Sequence, residues 1–184
     1  FKIAPVVMEI NTNDVIQHGL LGFAFGLYNR LTRGIFLRGV AGLTCASQEL
    51  ADAREFAGYR KPMCVIANGI EFDATRTVQA PKNEIPRLVF IGTPGFPWHG
   101  VDKLVELAQA YPDLKIDLIG YDRLEDGSPP PDNMCLHGYL SSVDYEKILA
   151  GGDVGIGTLA LHRKGMEEAS PLKTRECLAY GMPM

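Results

Sequence analysis

The chain alternates short apolar runs with stretches whose apolar positions recur every three or four residues, the patterns of buried strands and one-sided helices. Residues 5–10 (PVVMEI) predict a strand, and residues 14–37 a helical region in two pieces broken near Gly34. Residues 42–46 (GLTCA) predict a second strand, after which Ser47 is placed to cap a helix over 48–57. A third strand over 63–67 (MCVIA) ends in the turn dipeptide Asn68-Gly69.

Between 71 and 86 the chain becomes polar and aperiodic, with Pro81 and Pro86, and reads as a linker. The alternation then restarts. Strands are expected over 87–92, 114–120, 134–138 and 153–159, helices over 100–110, 142–151 and 171–180, and a loop over 122–132. Strand–helix alternation of this kind predicts an α/β class with parallel sheets covered by helices. The linker divides it into two halves, 1–80 and 87–184. Ligands in such folds lie outside the carboxyl ends of the strands, and a cleft between halves is a further natural place.

Composition then sets limits. The 184 residues, 46% hydrophobic and 22% charged, suffice for a sizeable core and exclude a disordered chain or a disulfide miniprotein. A net charge of −4 gives no bulk electrostatic footprint for nucleic acid. Cys45, Cys64, Cys135 and Cys177 form no C-x-x-C pair and none stands near a histidine at zinc spacing, so no metal site is expected. Their apolar settings predict buried thiols in a reducing, cytoplasmic compartment. The apolar run 19–28 is too short for a bilayer, which takes about 20 residues. With Arg30, Arg33 and Arg38 after it, the run reads either as a membrane-surface helix or as a helix packed under a sheet edge. The first residues of the chain do not read as a secretory leader, and one further upstream stays open. A start at Phe1 and an end at Met184, inside a turn, lead to the expectation of a piece of a longer protein.

Three places could carry chemistry. After the strand ending at Gly92, the turn Thr93-Pro-Gly-Phe-Pro-Trp-His-Gly100 opens a helix, an arrangement that leaves amides free for an anion or serves as an ordinary βα turn. Gly155-Ile-Gly157-Thr-Leu-Ala160 formally matches a dinucleotide fingerprint, but its glycines fall inside a strand instead of opening a helix. The third is the helix over 171–180. Ser170 suits its N-cap, Pro171 its first position and Gly181 its C′ position. Its first turn offers the amides of Leu172 and Lys173, and Lys173 opposes the helix dipole unless an anion is near; a solvated lysine there costs only a few tenths of a kcal/mol. Glu168 precedes this helix and Glu176 lies within it, so the two could bracket a ligand whose phosphates rest on the N-terminus.

Glu168-(x)7-Glu176 followed by Cys-Leu-Ala-Tyr-Gly-Met-Pro resembles the E-x7-E signature of retaining, nucleotide-sugar-dependent GT-B glycosyltransferases of the group 1 family. Cys64-Val-Ile-Ala-Asn-Gly-Ile70, Val89-Phe-Ile-Gly92 with Trp98-His-Gly100, Leu136-His-Gly138-Tyr139-Leu140 and Asp153-Val-Gly-Ile-Gly157 match in register, so the resemblance runs from about Val65 to the end. It implies two Rossmann-like halves, both incomplete: the later part of an acceptor-side domain, then the earlier part of a donor-binding domain. It implies a hexosyltransferase-type enzyme of glycan biosynthesis that moves a sugar from a nucleoside diphosphate to a glycan or lipid-linked acceptor with retention. The stretch itself is expected to be inactive, and the protein cytoplasmic or peripheral at the inner membrane face.

The resemblance places Glu168 at the sugar ring and Glu176 on the ribose hydroxyls. Ser170, Pro171, Leu172 and Lys173 would cradle the phosphates, and Gly138, Tyr139 and Leu140 frame the base. Gly92, Thr93, His99 and Gly100 form the glycine-containing donor loop. The family usually carries an arginine and a lysine in that loop; with Thr93 and His99 there instead, either His99 and Lys173 share the diphosphate charge or donor affinity is low. The chain contains no Asp-x-Asp triplet, so neither metal nor another cofactor is expected. A sugar-nucleotide epimerase or hydrolase, with His99 and His137 as its nearby acid/base groups, and a non-catalytic nucleotide-sugar-binding paralogue are the competing readings.

Overall fold

The computed structural model describes residues 4–71 and 83–184, so most of the linker expected over 71–86 lies outside the described residues. The chain forms two compact units, Phe1–Asn68 with Leu161–Ser170, and Gly69–Ala160 with Pro171–Met184. The return of Leu161–Ser170 to the first unit has no counterpart in the sequence pattern.

The first unit contains β1 (Val7–Ile10), α1 (Asp14–Leu20), α2 (Phe23–Gly39), β2 (Gly42–Cys45), α3 (Gln48–Asp52), α4 (Arg54–Ala57) and β3 (Met63–Val65). The strands are parallel in the order β1-β2-β3. The helical region is in two pieces, but the break falls at Leu21 and Gly22 and not at Gly34. Gly22 takes φ 122, which a Cβ would oppose, whereas Gly34 stays inside α2. Ser47 caps α3 as expected, accepting from the Leu50 amide at 3.3 Å. Extended backbone at Ala53 divides the helix expected over 48–57 into α3 and α4. Ile10, Leu37, Leu43, Leu50 and Phe56 form the core, joined by Met166 from the returning segment.

Arg33 turns inward, unlike the exposed Arg30 and Arg38. Its Nε donates to Asp14 Oδ2 at 2.7 Å and its Nη1 to the Glu55 carbonyl at 2.8 Å, while the guanidinium lies over the Phe56 and Tyr59 rings. The other side of α2 presents Phe23, Leu27, Tyr28, Leu31 and Ile35 as exposed residues. Among the described residues no helix is long and apolar enough to cross a membrane.

The second unit contains β4 (Arg87–Ile91), α5 (Val101–Ala110), β5 (Lys115–Ile119), β6 (Met134–Gly138), α6 (Ser142–Gly151), β7 (Val154–Ile156) and α7 (Leu172–Ala179). Every strand pair is parallel and the order is β6-β5-β4-β7. The chain therefore winds outward from β4 to β6 and then crosses to β7 on the other side of β4. In sheets with such a Rossmann-like reversal ligands bind beyond the carboxyl ends of the two strands at the switch point, here β4 and β7. Alternation along the strands splits the core. Phe90, Ile116, Leu118 and Met134 face α5, and Val89 and Ile119 face α6 and α7 with Leu149, Cys177 and Tyr180.

One detail bears the sequence reading out and another corrects it. A Cβ at Gly155 would lie 2.5 Å from Met184 Sδ and 3.0 Å from Cys177 Sγ, so this strand glycine admits α7 and makes no dinucleotide turn. Only Cys45 and Cys177 are buried thiols; Cys64 and Cys135 are exposed, because β3 and β6 are edge strands of their sheets.

Candidate functional site

In the second unit, residues 92–100 carry the chain from β4 toward α5. Gly92 is imposed by crowding, since a Cβ there would lie 2.5 Å from Phe90 Cε1 and 3.0 Å from His99 Nδ1 and Tyr121 Cε2. Gly100 is left-handed at φ 72, and its Cβ would meet that of Leu159 at 2.9 Å. The Leu159 and Ala160 amides donate to the carbonyls of His99 and Trp98, joining the loop after β7 to the loop after β4.

Tyr121 ties this loop to the end of β5. Its buried hydroxyl donates to the Thr93 carbonyl at 2.9 Å and lies 3.0 Å from His99 Nδ1. With the phenol proton committed to Thr93, His99 Nδ1–H is the donor to the phenol oxygen. Burial holds the Tyr121 phenol well above its ordinary titration range, so the hydroxyl stays neutral. The His99 ring meets Phe90 and Phe96 edge-on, with centroids 5.6 and 5.5 Å away. The Gly95 amide donates to Glu125 Oε1 at 2.7 Å, so a carboxylate already rests on this loop.

The helix α7 begins one residue later than expected. Pro171, not Ser170, holds the N-cap position, in extended backbone (φ −71, ψ 138). Ser170 is drawn to Asn68 in the first unit: its Oγ accepts from the Asn68 amide at 3.1 Å and its carbonyl from Asn68 Nδ2 at 2.7 Å. The first turn, opened by Leu172, holds no acidic residue. Lys173 reaches from it to place Nζ 3.9 Å from the Phe90 ring centroid, buried and with no hydrogen-bond partner among the described residues. Burial lowers its pKa to about 8. Glu176 stands beside Tyr145 of α6, where its carboxylate adds to burial in raising that phenol. At the end of β6, Gly138 is left-handed at φ 61 and its amide donates to the Tyr121 carbonyl at 2.8 Å. Tyr139 is exposed, and Leu140 packs on the α6–α7 core.

The second unit thus brings Gly92, Thr93, His99, Gly100 and Lys173 around the carboxyl end of β4. Glu168 belongs to the first unit. There its Oε2 accepts from the Glu49 amide at 3.0 Å, while the Glu49 carboxylate accepts from the amides of Glu167 and Glu168 at 3.0 and 2.7 Å. Glu49, Asn68, Tyr121 and Glu125 escaped the sequence reading. A Gly-Tyr step closing a strand was a signal for Tyr121, whereas Glu49 and Asn68 meet partners more than 100 residues away, where no local pattern reports them.

No family model and no curated protein matches the chain. Among solved structures, it is similar to the crystal structure of TarM with a TM-score of 0.60 at 13% identity, over 83% of this chain and 31% of that one. A glycotransferase of kitacinnamycin aligns over 96% of this chain and 56% of that one at 13% identity, but its TM-score of 0.38 carries no argument. The chain spans about a third of the length of TarM, and what the two share is a fold of parallel α/β sheets.

Proposed function

We propose that this chain is the central part of a retaining GT-B glycosyltransferase of the group 1 type, in which the second unit holds a nucleoside-diphosphate sugar. The observation that carries this reading is Lys173, a buried ammonium without a hydrogen-bond partner among the described residues, beside the loop after β4 at the switch point of the sheet. A diphosphate there would accept from Lys173 Nζ and from the first amides of α7, and these fixed donors would stabilise the charge that grows on the leaving group. Glu176 would hold the ribose hydroxyls through two acceptor oxygens, exposed Tyr139 would border the base, and Glu168 would act at the sugar ring. Donor binding is proposed to need no metal, since the chain lacks an Asp-x-Asp triplet.

The acceptor is a glycan or lipid-linked hydroxyl. The exposed apolar row of α2 with Arg30 and Arg38 supports contact of the first unit with an anionic membrane surface, which sedimentation with anionic vesicles tests. An epimerase or hydrolase draws less support, because His99 is held by Tyr121 and His137 by Asp117.

Isothermal titration with uridine, guanosine and adenosine diphosphates tests the donor site. One of them is expected to bind, about tenfold or more weakly in Lys173→Met, because a charge-assisted hydrogen bond contributes roughly 1.5–3 kcal/mol. Binding of none overturns the reading, and unchanged binding in Glu176→Ala removes the ribose assignment. Free sugar released without acceptor by the longer protein favours a hydrolase.

A further inference from the structure

On the α6–α7 side of the second sheet, the part over β5 and β6 is not covered by α6 and α7 and carries a polar cluster. Period-two alternation puts Arg87, Asp117, Cys135 and His137 on this one face, and Asp117 pairs in register with Cys135. Asp117 is buried, and both of its oxygens are bound. Oδ2 accepts from Arg87 Nε, and Oδ1 accepts from Arg87 Nη2 at 3.0 Å and meets His137 Nε2 at 2.6 Å. On the other side of the imidazole, His137 Nδ1 lies 3.9 Å from the sulfur of exposed Cys135. The cluster lines a surface cavity of about 620 Å³ together with Lys115, Asp132 and Asn133.

Among the described residues, donor atoms of Asp117, Cys135 and His137 converge within 4.8 Å of one another. We propose that Cys135 Sγ and His137 Nδ1 form a site for a borderline-soft transition-metal cation of the zinc class, oriented from behind by Asp117 and Arg87. The 3.9 Å sulfur–nitrogen separation is close to the roughly 3.6 Å spanned by tetrahedral zinc bonds of about 2.3 and 2.0 Å. The Nε2–Oδ1 contact is too short to admit a cation between its atoms, which directs the metal to Nδ1. Asp117 then has the part of the carboxylate behind a ligating histidine, fixing its tautomer and ring plane through Nε2–H. Arg87 neutralises that carboxylate, so the cation faces the thiolate and the imidazole. Two coordination positions remain for water or a small ligand in the cavity. The site lies on a face of the sheet, not at the carboxyl ends of its strands, and is independent of the donor reading.

Cobalt(II) titrated into the reduced full chain tests the proposal. One equivalent is expected to bind with a thiolate-to-cobalt charge-transfer band, which zinc bleaches because it binds such sites more tightly. Cys135→Ser should abolish the band, and His137→Ala should weaken binding about tenfold or more. Asp117→Asn should keep the band but lower affinity by about tenfold, the signature of an orienting group. Cys64→Ser, which removes the exposed thiol of the first unit, should change nothing. Absence of the band at millimolar cobalt, or a band that survives Cys135→Ser, overturns the proposal.

Discussion

Lys173 sets the fold at odds with its own protonation. Burial lowers its pKa from the ordinary 10.5 to about 8, so between these values the unfolded chain binds more protons than the folded one. Stability should therefore rise as pH goes from about 8 to 10.5, with the full penalty present below 8. After solvent screening the effect is on the order of 2 kcal/mol, and Lys173→Met should flatten it in urea unfolding followed against pH. A bound diphosphate favours the charged ammonium. Nucleotide binding should then weaken above about pH 8 and take up a proton near it, measurable by titration in buffers of different ionisation heat. Glu125 acts in the opposite sense, because its carboxylate rests on the Gly95 amide that an anion would use. Glu125→Ala should tighten diphosphate binding several-fold, and an unchanged affinity would place the phosphates elsewhere.

The elements depend on a few close approaches. An added methyl at Gly92 meets the Phe90 ring, His99 and Tyr121, so Gly92→Ala should cost about 1–3 kcal/mol by overpacking, read from the chemical unfolding midpoint. In the first unit Arg33 joins α2 to α1 and α4 through Asp14 and Glu55. Arg33→Leu leaves a partly buried Asp14 without its cation and should cost about 1–3 kcal/mol. The same elements show what sequence can tell. The helix α6 runs over the residues its pattern predicts, since its stop and start are local: Ser141 Oγ accepts from the Asp144 amide at 3.2 Å. The β6 strand is equally legible. Which glycine would break the helical region between β1 and β2 was not, because Gly22 and Gly34 look alike until the Arg33–Asp14 pair folds α1 onto α2. Ser170 has the chemistry of a cap, but a partner 102 residues away claims it. Cys135 and His137 follow no zinc spacing because that rule describes turns and helices; on a strand, residues two apart share a face, and Asp117 arrives from the neighbouring strand.

At the scale of the molecule, each unit has its own core, and the single tryptophan lies in only one of them. Trp98 is buried in the loop that joins β4 to α5, against Phe96. Its fluorescence should therefore report the second unit alone. A nucleoside diphosphate should raise the thermal midpoint seen by fluorescence and leave the unfolding step of the first unit in place by calorimetry. A nucleoside diphosphate that raised both equally would contradict a diphosphate site built by the second unit alone.

The return of Leu161–Ser170 to the first unit has a consequence for biosynthesis. Met166 completes the first core, and Glu168 and Ser170 tie down Glu49 and Asn68, yet all three follow the last strand of the second sheet in the chain. A ribosome delivers β4 through β7 before it delivers the residues that finish the unit begun first. Maturation of the two units on the ribosome is thereby interleaved: the first core lacks Met166 until β4 through β7 have been made, and the second lacks Cys177 and Tyr180 of α7 until later still.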